Sequence, residues 1–423
     1  MYVKARSISV LHVMTTITDD NIDSYTGGST VLDHMNWQVT SQSLTREFLQ
    51  LFPKLVGLNI DGQQLTNLDM LEGCPELVKL SCKDTHIKSL QGVCSSPLLE
   101  ELDCSGCKSR VHVPKPLITN IELLHHCSHL RKLTLDHIGI SNIDWLEFCP
   151  NLVLLSVANH NLMSLQALQF CPNLTSLDCS IGKLESLEGI RFCPKLRHLF
   201  CSSNPVRSLL GIESCSQLWQ LHCSDCSLSS LKGLKSCSQL NSLVCNGNKI
   251  GSLRGIEGCP ELKALHCMRC ELDTLTGLES CFQLLYLFCD RNMITNLKPL
   301  VHCSKLRILN CCRNQLVSLE PISNCTDLFI LSCKNNRITS LECIRSLSQL
   351  ERLRCSNNDL VSLAGIEACT KIRILTCDRN RITKLDPIIN LPHLEQFEYD
   401  ANQASTQTLV VQSVEARLPP AKH

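Results

Sequence analysis

The chain has 423 residues, and Lys plus Arg and Asp plus Glu both total 40. A formal charge of zero argues against a protein whose main work is gripping nucleic acid or an anionic membrane, and 43% hydrophobic residues exclude disorder over most of the length. No apolar run reaches the length of a bilayer span, and the opening MYVKARSISVLHVMTTITDD reads as too polar for a signal peptide.

Residues 1–54 stand outside any repeat. SISVLHV alternates as a strand does, and SLTREFLQLF is amphipathic with Ser43 or Thr45 available as a cap, so a short helix is expected there. The segment reads as an amino-terminal cap that shields the open edge of the first repeat at Leu55. A small adaptor domain such as a degenerate F-box is the alternative.

From Leu55 to Gln403 the chain repeats itself. Leucine-type residues open blocks at Leu55, Leu77, Leu99, Leu130, Leu152 and onward to Leu350, Ile372 and Leu394, each 22 residues apart except the 31-residue step from Leu99 to Leu130. In the block LRHLFCSSNPVRSLLGIESCSQ, spacing of two around Leu199 and Cys201 predicts a short strand with both side chains inward. Asn204 is expected to turn the chain and to bond backbone groups that the turn leaves unpaired. VRSLLGIESC then returns with apolar residues at every third position, which suits an extended or 3₁₀ path. One block buries too little to offset its own ordering, so neighbouring blocks must stack and pair strands. The longer step falls within CKSRVHVPKPLITNIELLHHC, near residues 107–127. Pro114 and Pro116 exclude a regular helix there, Lys108, Arg110 and Lys115 make it basic, and IELLHH suits a helical turn.

The opening LxxLxC followed by Asn resembles the leucine-rich repeat signature with Cys in the third apolar slot, and the 22-residue length is similar to its internalin-like class. The blocks also resemble cysteine-bearing repeats in proteins of large DNA viruses that infect amoebae, such as the marseilleviruses. The resemblance covers about four fifths of the chain. It implies an α/β solenoid, a horseshoe or arc with a parallel sheet on the concave side and extended or 3₁₀ segments on the convex side. It also implies a non-enzymatic scaffold that binds other proteins, with no catalytic residues to carry over.

Thirty cysteines are the one abnormal count. Twelve fill the third strand slot, from Cys82 to Cys377, and twelve lie three residues before the next opening leucine, from Cys74 to Cys369. The same slots elsewhere hold Ile60, Leu135 and Val157, or Phe52, Leu347 and Leu391, so these thiols are expected in the core as small hydrophobes. Cys107, Cys226 and Cys270 take the asparagine slot and create CSGC, CSDC and CMRC, motifs that alone suggest zinc or a redox dithiol. Cys104 and Cys107 with His125, His126, Cys127 and His129 form the most tempting such set. The repeat already accounts for most of these thiols, so no metal, cofactor or structural disulfide is expected. Cys94, Cys312 and Cys343 lie off both ladders, and Cys312 should face outward as the best candidate for an accessible thiol.

Alternation along each strand assigns its outward side chains. Phe200, His222, Val244, His266 and Phe288 lie between the inward residues of successive blocks; Tyr286, Ile308, Ile330 and Ile374 come one step earlier, bordered by Trp219, Leu285, Phe329 and Met268. Aromatic residues total only 17 and five fall on this face, which points to a contact surface. Mutual burial in a tightly curved solenoid is the alternative. Arg269, Arg291 and Arg313, with Arg379 farther on, follow the strand exits and suit an acidic protein segment, partly balanced by Asp225, Asp290 and Asp378. No Walker loop, GxSxG, HExxH or EF-hand pattern occurs. The expectation is an intracellular, cytoplasmic scaffold that binds a protein through these aromatic, apolar and arginine positions. A virion or assembly component is the alternative, and a metal or redox protein a weaker one. A membrane is not expected as partner, and neutral charge disfavours nucleic acid. After Gln403, TLVVQSV reads as a closing strand and ARLPPAKH as a loose tail.

Overall fold

The computed structural model describes residues 37–38, 46–50, 52–106, 118 and 120–403, in two compact units, one ending at Pro205 and one beginning at Val206. In the first unit, β1 (Trp37–Gln38), β2 (Gly57–Asn59), β3 (Lys79–Ser81), β4 (Glu101–Asp103), β5 (Lys132–Thr134), β6 (Leu154–Ser156), β7 (Ser176–Asp178) and β8 (His198–Phe200) pair in parallel, each with the next. In the second, β9 (Gln220–His222), β10 (Ser242–Val244), β11 (Ala264–His266), β12 (Tyr286–Phe288), β13 (Ile308–Asn310), β14 (Ile330–Ser332), β15 (Arg352–Arg354), β16 (Ile374–Thr376) and β17 (Gln396–Glu398) do the same.

The register is that of the repeat. Leu243 pairs with Leu265 and Leu265 with Leu287, so each 22-residue block makes one coil. Between β4 and β5, Leu102 pairs with Leu133, and the insertion is absorbed without a slip that would turn the leucines outward. The return paths are short 3₁₀ helices, from Asp69–Gly73 to Asp386–Ile388, and IELLHH is one of them. Some begin at a glycine whose φ exceeds 100°, as at Gly255 and Gly277. A side chain there would strike the carbonyl of Leu231 or Leu253 one coil back. The Gly N–H is satisfied by the glutamate two residues on, Glu257 or Glu279, at 2.6 Å.

The coils are held together by buried asparagines. Asn336 Nδ2 donates to the carbonyl of Cys333 in its own coil (2.9 Å) and to that of Cys311 in the previous one (3.0 Å), while its Oδ1 accepts the Leu316 N–H (3.0 Å). Asn204, Asn248, Asn314, Asn358 and Asn380 repeat the pattern. Each amide thus supplies partners to backbone groups sealed from water, which otherwise would cost about 1–3 kcal/mol apiece.

Both cysteine ladders line the core, as their exchange with aliphatic residues implies. Strand-slot thiols donate forward, Cys245 to the His266 carbonyl (3.4 Å) and Cys311 to that of Ser332 (3.5 Å). Thiols of the second ladder donate backward, Cys171 to the Cys149 carbonyl (3.5 Å) and Cys325 to that of Cys303 (3.4 Å). Ser96 takes the place of a cysteine in that ladder and donates to the Cys74 carbonyl at 3.1 Å.

At the amino-terminal side, the expected helix is found as α1 (Arg46–Gln50), within SLTREFLQLF. Leu49 is buried, and Arg46 pairs with Glu72 of the first 3₁₀ turn at 2.7 Å. SISVLHV, TLVVQSV, ARLPPAKH, Cys107 and the basic stretch with Lys108, Arg110 and Lys115 lie outside the described residues. Among the described residues no helix is long and apolar enough to cross a membrane.

One coil replaces asparagine with histidine. His160 is buried; its Nε2 donates to the Cys179 carbonyl (2.9 Å) and its Nδ1 accepts the Leu162 N–H (2.8 Å), which fixes the neutral tautomer. The ring fits because the next coil has Gly182 opposite it, where a Cβ would overlap the imidazole. Burial lowers the His160 pKa. Protonation would set an Nδ1–H against the Leu162 N–H.

The bridging amides and the histidine that replaces one of them can each be tested by substitution. Asn336→Ala should destabilise the protein by about 2–3 kcal/mol in denaturant unfolding, and the adjacent, exposed Asn335→Ala by about 1 kcal/mol or less; equal losses would contradict the bridging role. Gly182→Ala should cost roughly 2 kcal/mol, with much of that recovered when His160→Asn is added. Because the folded pKa of His160 is depressed, the unfolded imidazole takes up its proton first. Wild-type stability should therefore fall relative to His160→Asn as pH drops through about 6.5, by at most about 1.4 kcal/mol per pH unit. Parallel pH profiles would remove His160 from this role.

Candidate binding surface

Strands β9 to β16 have three residues each and bury the middle one, so the outer two belong to the open face of the sheet, although Ser332 and Thr376 are themselves covered there. In the second unit this produces two apolar rows. His222, Val244, His266 and Phe288 are register neighbours in one, and Tyr286, Ile308 and Ile330 in the other. All are half-buried, covering one another's flanks while keeping an open side. The His266 and Phe288 rings stack at 4.4 Å with planes 19° apart, and Gln220 Nε2 lies 2.9 Å from His222 Nε2. Burial, reinforced by His222, lowers the His266 pKa and favours the neutral ring that stacks.

The other positions singled out in the sequence are placed less centrally. Trp219 is 45% and Phe329 37% exposed in the slot before the strand, where Asn241 and Lys263 separate Trp219 from half-buried Leu285, and Arg307 separates Leu285 from Phe329. Met268 is half-buried past the strand end, its N–H donating to Asn246 Oδ1 at 2.9 Å. Ile374 is separated from Ile330 by Arg352. Phe200 belongs to the first unit, in register with Asp178.

Arg269, Arg291, Arg313 and Arg379 are exposed and share a backbone conformation that the sequence does not announce. Their φ angles are +53°, +58°, +55° and +54°, and the same slot holds Gly247, Asn335 and Asn357. A left-handed backbone costs a residue other than glycine about 1 kcal/mol. The first three arginines surround Asp290. Burial raises the Asp290 pKa against the pull of Arg291, Arg269 and Arg313; Arg291 Nε stands 3.9 Å from its Oδ2, and Asn310 Nδ2 donates to its Oδ1 at 3.1 Å.

Further cations on this face are missed by a reading led by aromatics and strand-exit arginines, although the register exposes them. Lys334 fills the slot held by Asp290 two coils earlier, and Arg354 ends β15. Among the described residues neither forms an ion pair. Half-buried Cys312 lies beside them: burial raises its thiol pKa, opposed by Lys334 and Arg354.

The sheet face of the first unit is chemically different. Lys79 and Lys132 both reach Glu101, at 3.2 and 2.9 Å, and Lys83 reaches Asp103 at 3.1 Å. Burial raises the Glu101 pKa, but the two lysines outweigh it and hold the carboxyl below its ordinary value. These residues line a cavity of about 270 Å³ whose charges are already paired.

Among the described residues, no three His, Cys, Asp or Glu side chains converge as a metal site requires, and the described cysteines are free thiols. Burial pushes thiols of the second ladder, such as Cys171 and Cys325, up to about 12. They stay protonated at neutral pH, whereas the thiolate is the ligand and nucleophile. CMRC resolves into two core positions, with Cys270 Sγ donating to the Cys245 carbonyl at 3.1 Å, as an asparagine there would.

No family model and no curated protein matches the sequence. Solved structures do match. A leucine-rich repeat protein of Leptospira interrogans, LIC12759, aligns with a TM-score of 0.80 at 22% identity, over 91% of this chain and 100% of that one. Internalin InlF of Listeria monocytogenes aligns with a TM-score of 0.65 at 18% identity, over 70% of this chain and 89% of that one. A plant peptide hormone receptor, RGFR1, in complex with RGF2 aligns with a TM-score of 0.55 at 16% identity, over 87% and 74% respectively. Likeness at these identities establishes architecture: the coils of this chain have the leucine-rich repeat fold.

Proposed function

We propose that the chain is a non-enzymatic interaction scaffold that binds a protein partner on the sheet face of its second unit. The observation that carries this reading is the pair of apolar rows, Val244–His266–Phe288 and Tyr286–Ile308–Ile330. An apolar patch on an otherwise polar surface marks a contact site. The sheet face at β3 to β5 of the first unit, where Lys79, Lys83 and Lys132 pair with Glu101 and Asp103, supplies the contrast. A plant peptide hormone receptor in complex with RGF2, among the structures of like fold, supports a binding role.

In this reading Phe288 and Tyr286 are the anchors, with His222, Val244, His266, Ile308 and Met268 around them and Trp219 and Phe329 at the margins. Phe200 is a contact candidate of the first unit taken by itself. Arg269, Arg291 and Arg313 select for an acidic partner. Free thiols and cysteine-for-aliphatic exchange support action inside a host cell, in keeping with an origin in a large DNA virus.

Affinity capture from the native host cell tests this. Phe288→Ala with Ile308→Ser should abolish recovery of a partner held by wild type, and reversing Arg269, Arg291 and Arg313 to Glu should weaken it. Undiminished capture by both variants would discard the surface. The left-handed arginines give a sharper expectation. Arg291→Gly should stabilise the protein by about 0.5–1 kcal/mol, because glycine adopts that backbone without strain, and yet bind the partner less well. Stabilisation without loss of binding would make Arg291 a bystander.

A further inference from the structure

The cations of the second unit differ in whether a carboxylate already occupies them. Arg373 is held by Glu395 at 2.6 Å, and Arg381 by Asp359 at 2.8 Å. Arg269 and Arg291 share Asp290 with Arg313. Lys334 and Arg354 have no such partner among the described residues. In the slot of Lys334 the flanking coils carry Cys312 and Ser356, and acidic residues return at Asp290 and Asp378, two coils away on either side, roughly 10 Å by strand spacing. Arg354 has Ser332 and Thr376 as its register neighbours.

Backbone bonds bring the two unoccupied cations together with Arg313. The Arg313 N–H donates to the Lys334 carbonyl at 2.8 Å, and the Cys333 N–H donates to the Arg354 carbonyl at 2.8 Å. Arg313, Lys334 and Arg354 therefore stand on three successive coils along a diagonal, around the half-buried thiol of Cys312. β13 and β14, which belong to the first two of those coils, carry Ile308 and Ile330 of the apolar row. Cation and apolar surface thus occupy the same coils, with Asn310 and Ser332 between them along the strands.

We infer that Arg313, Lys334 and Arg354 form a carboxylate pocket adjoining the apolar row, so that the segment bound there carries Asp or Glu close to its apolar anchor. The inference rests on the sheet face being the binding surface. Asp290 and Asp378 confine the cationic stretch to a few coils, which suits one or two carboxylates and not a run of phosphates. Lys and Arg gain most from an anion where apolar neighbours exclude water.

Selection of a phage-displayed random peptide library on the full chain tests the pocket. Wild type should enrich peptides with Asp or Glu near an aromatic or aliphatic residue. A synthetic copy of the most enriched peptide should bind Lys334→Glu/Arg354→Glu about tenfold more weakly, bind Lys334→Gln/Arg354→Gln with a smaller loss, and lose affinity with added salt. Unchanged thermal melting of these surface variants keeps the comparison free of folding defects. Acidic enrichment that is missing from wild type, or equally strong on the charge-reversed variant, overturns the pocket. So does a labelled single-stranded oligonucleotide that binds more tightly than the peptide and depends on the same two residues. If Phe288→Ala/Ile308→Ser binds the peptide as wild type does, the sheet-face reading fails instead. No enrichment on wild type overturns both.

Discussion

The whole architecture turns on a buried side-chain amide that serves two coils at once. A chain that turns every 22 residues leaves carbonyls and N–H groups inside, away from water, at the turn after each strand. Asn is the side chain that can donate twice and accept once within so small a volume. Its bonds reach 25 residues back and 3 residues back, as from Asn358 to Cys333 and Cys355. Each coil that carries such an asparagine is thereby tied to the one before it. His160 shows how strict the geometry is, since its larger ring works only with a bare glycine in the neighbouring coil.

The same constraint explains the thiols. Positions beside buried backbone carbonyls need a small side chain that packs like a hydrophobe and tolerates polar atoms nearby. Cysteine meets both demands, because its S–H is a weak donor and its volume is modest. Ladder thiols contact carbonyls of adjacent coils at 3.2–4.0 Å, and Ser96 makes the equivalent contact with a stronger donor. The cysteines thus belong to the frame, and recognition falls to the residues left on the sheet face.

Much of this is legible in the sequence, for reasons that differ by residue. Strand register follows from the leucines because a slip of one residue would expose all of them. The rows containing Phe288 and Tyr286 follow from alternation alone. Lys334 and Arg354 are equally available from the register, but their significance lies in having no carboxylate partner among the described residues, which spacing in the sequence does not fix. The left-handed backbone of Arg269, Arg291 and Arg313 is hidden for another reason, since sequence patterns lead one to expect Gly or Asn at positive φ. His160 reads as a mere substitution until Gly182 is seen against it. Trp37 and Gln38 carry no repeat at all, and their pairing with Leu58 and Asn59 is a tertiary outcome.

The strict register of the strands also sets a ruler for whatever lies across them. Neighbouring strands are spaced about 4.8 Å apart, whereas an extended chain repeats its side-chain direction about every 6.8 Å. A strand crossing the sheet would fall out of step within two coils. A helix, advancing about 5.4 Å per turn, drifts far more slowly against the same grid. Geometry alone therefore favours helical ligands over long extended ones, and limits an extended ligand to a short commensurate stretch.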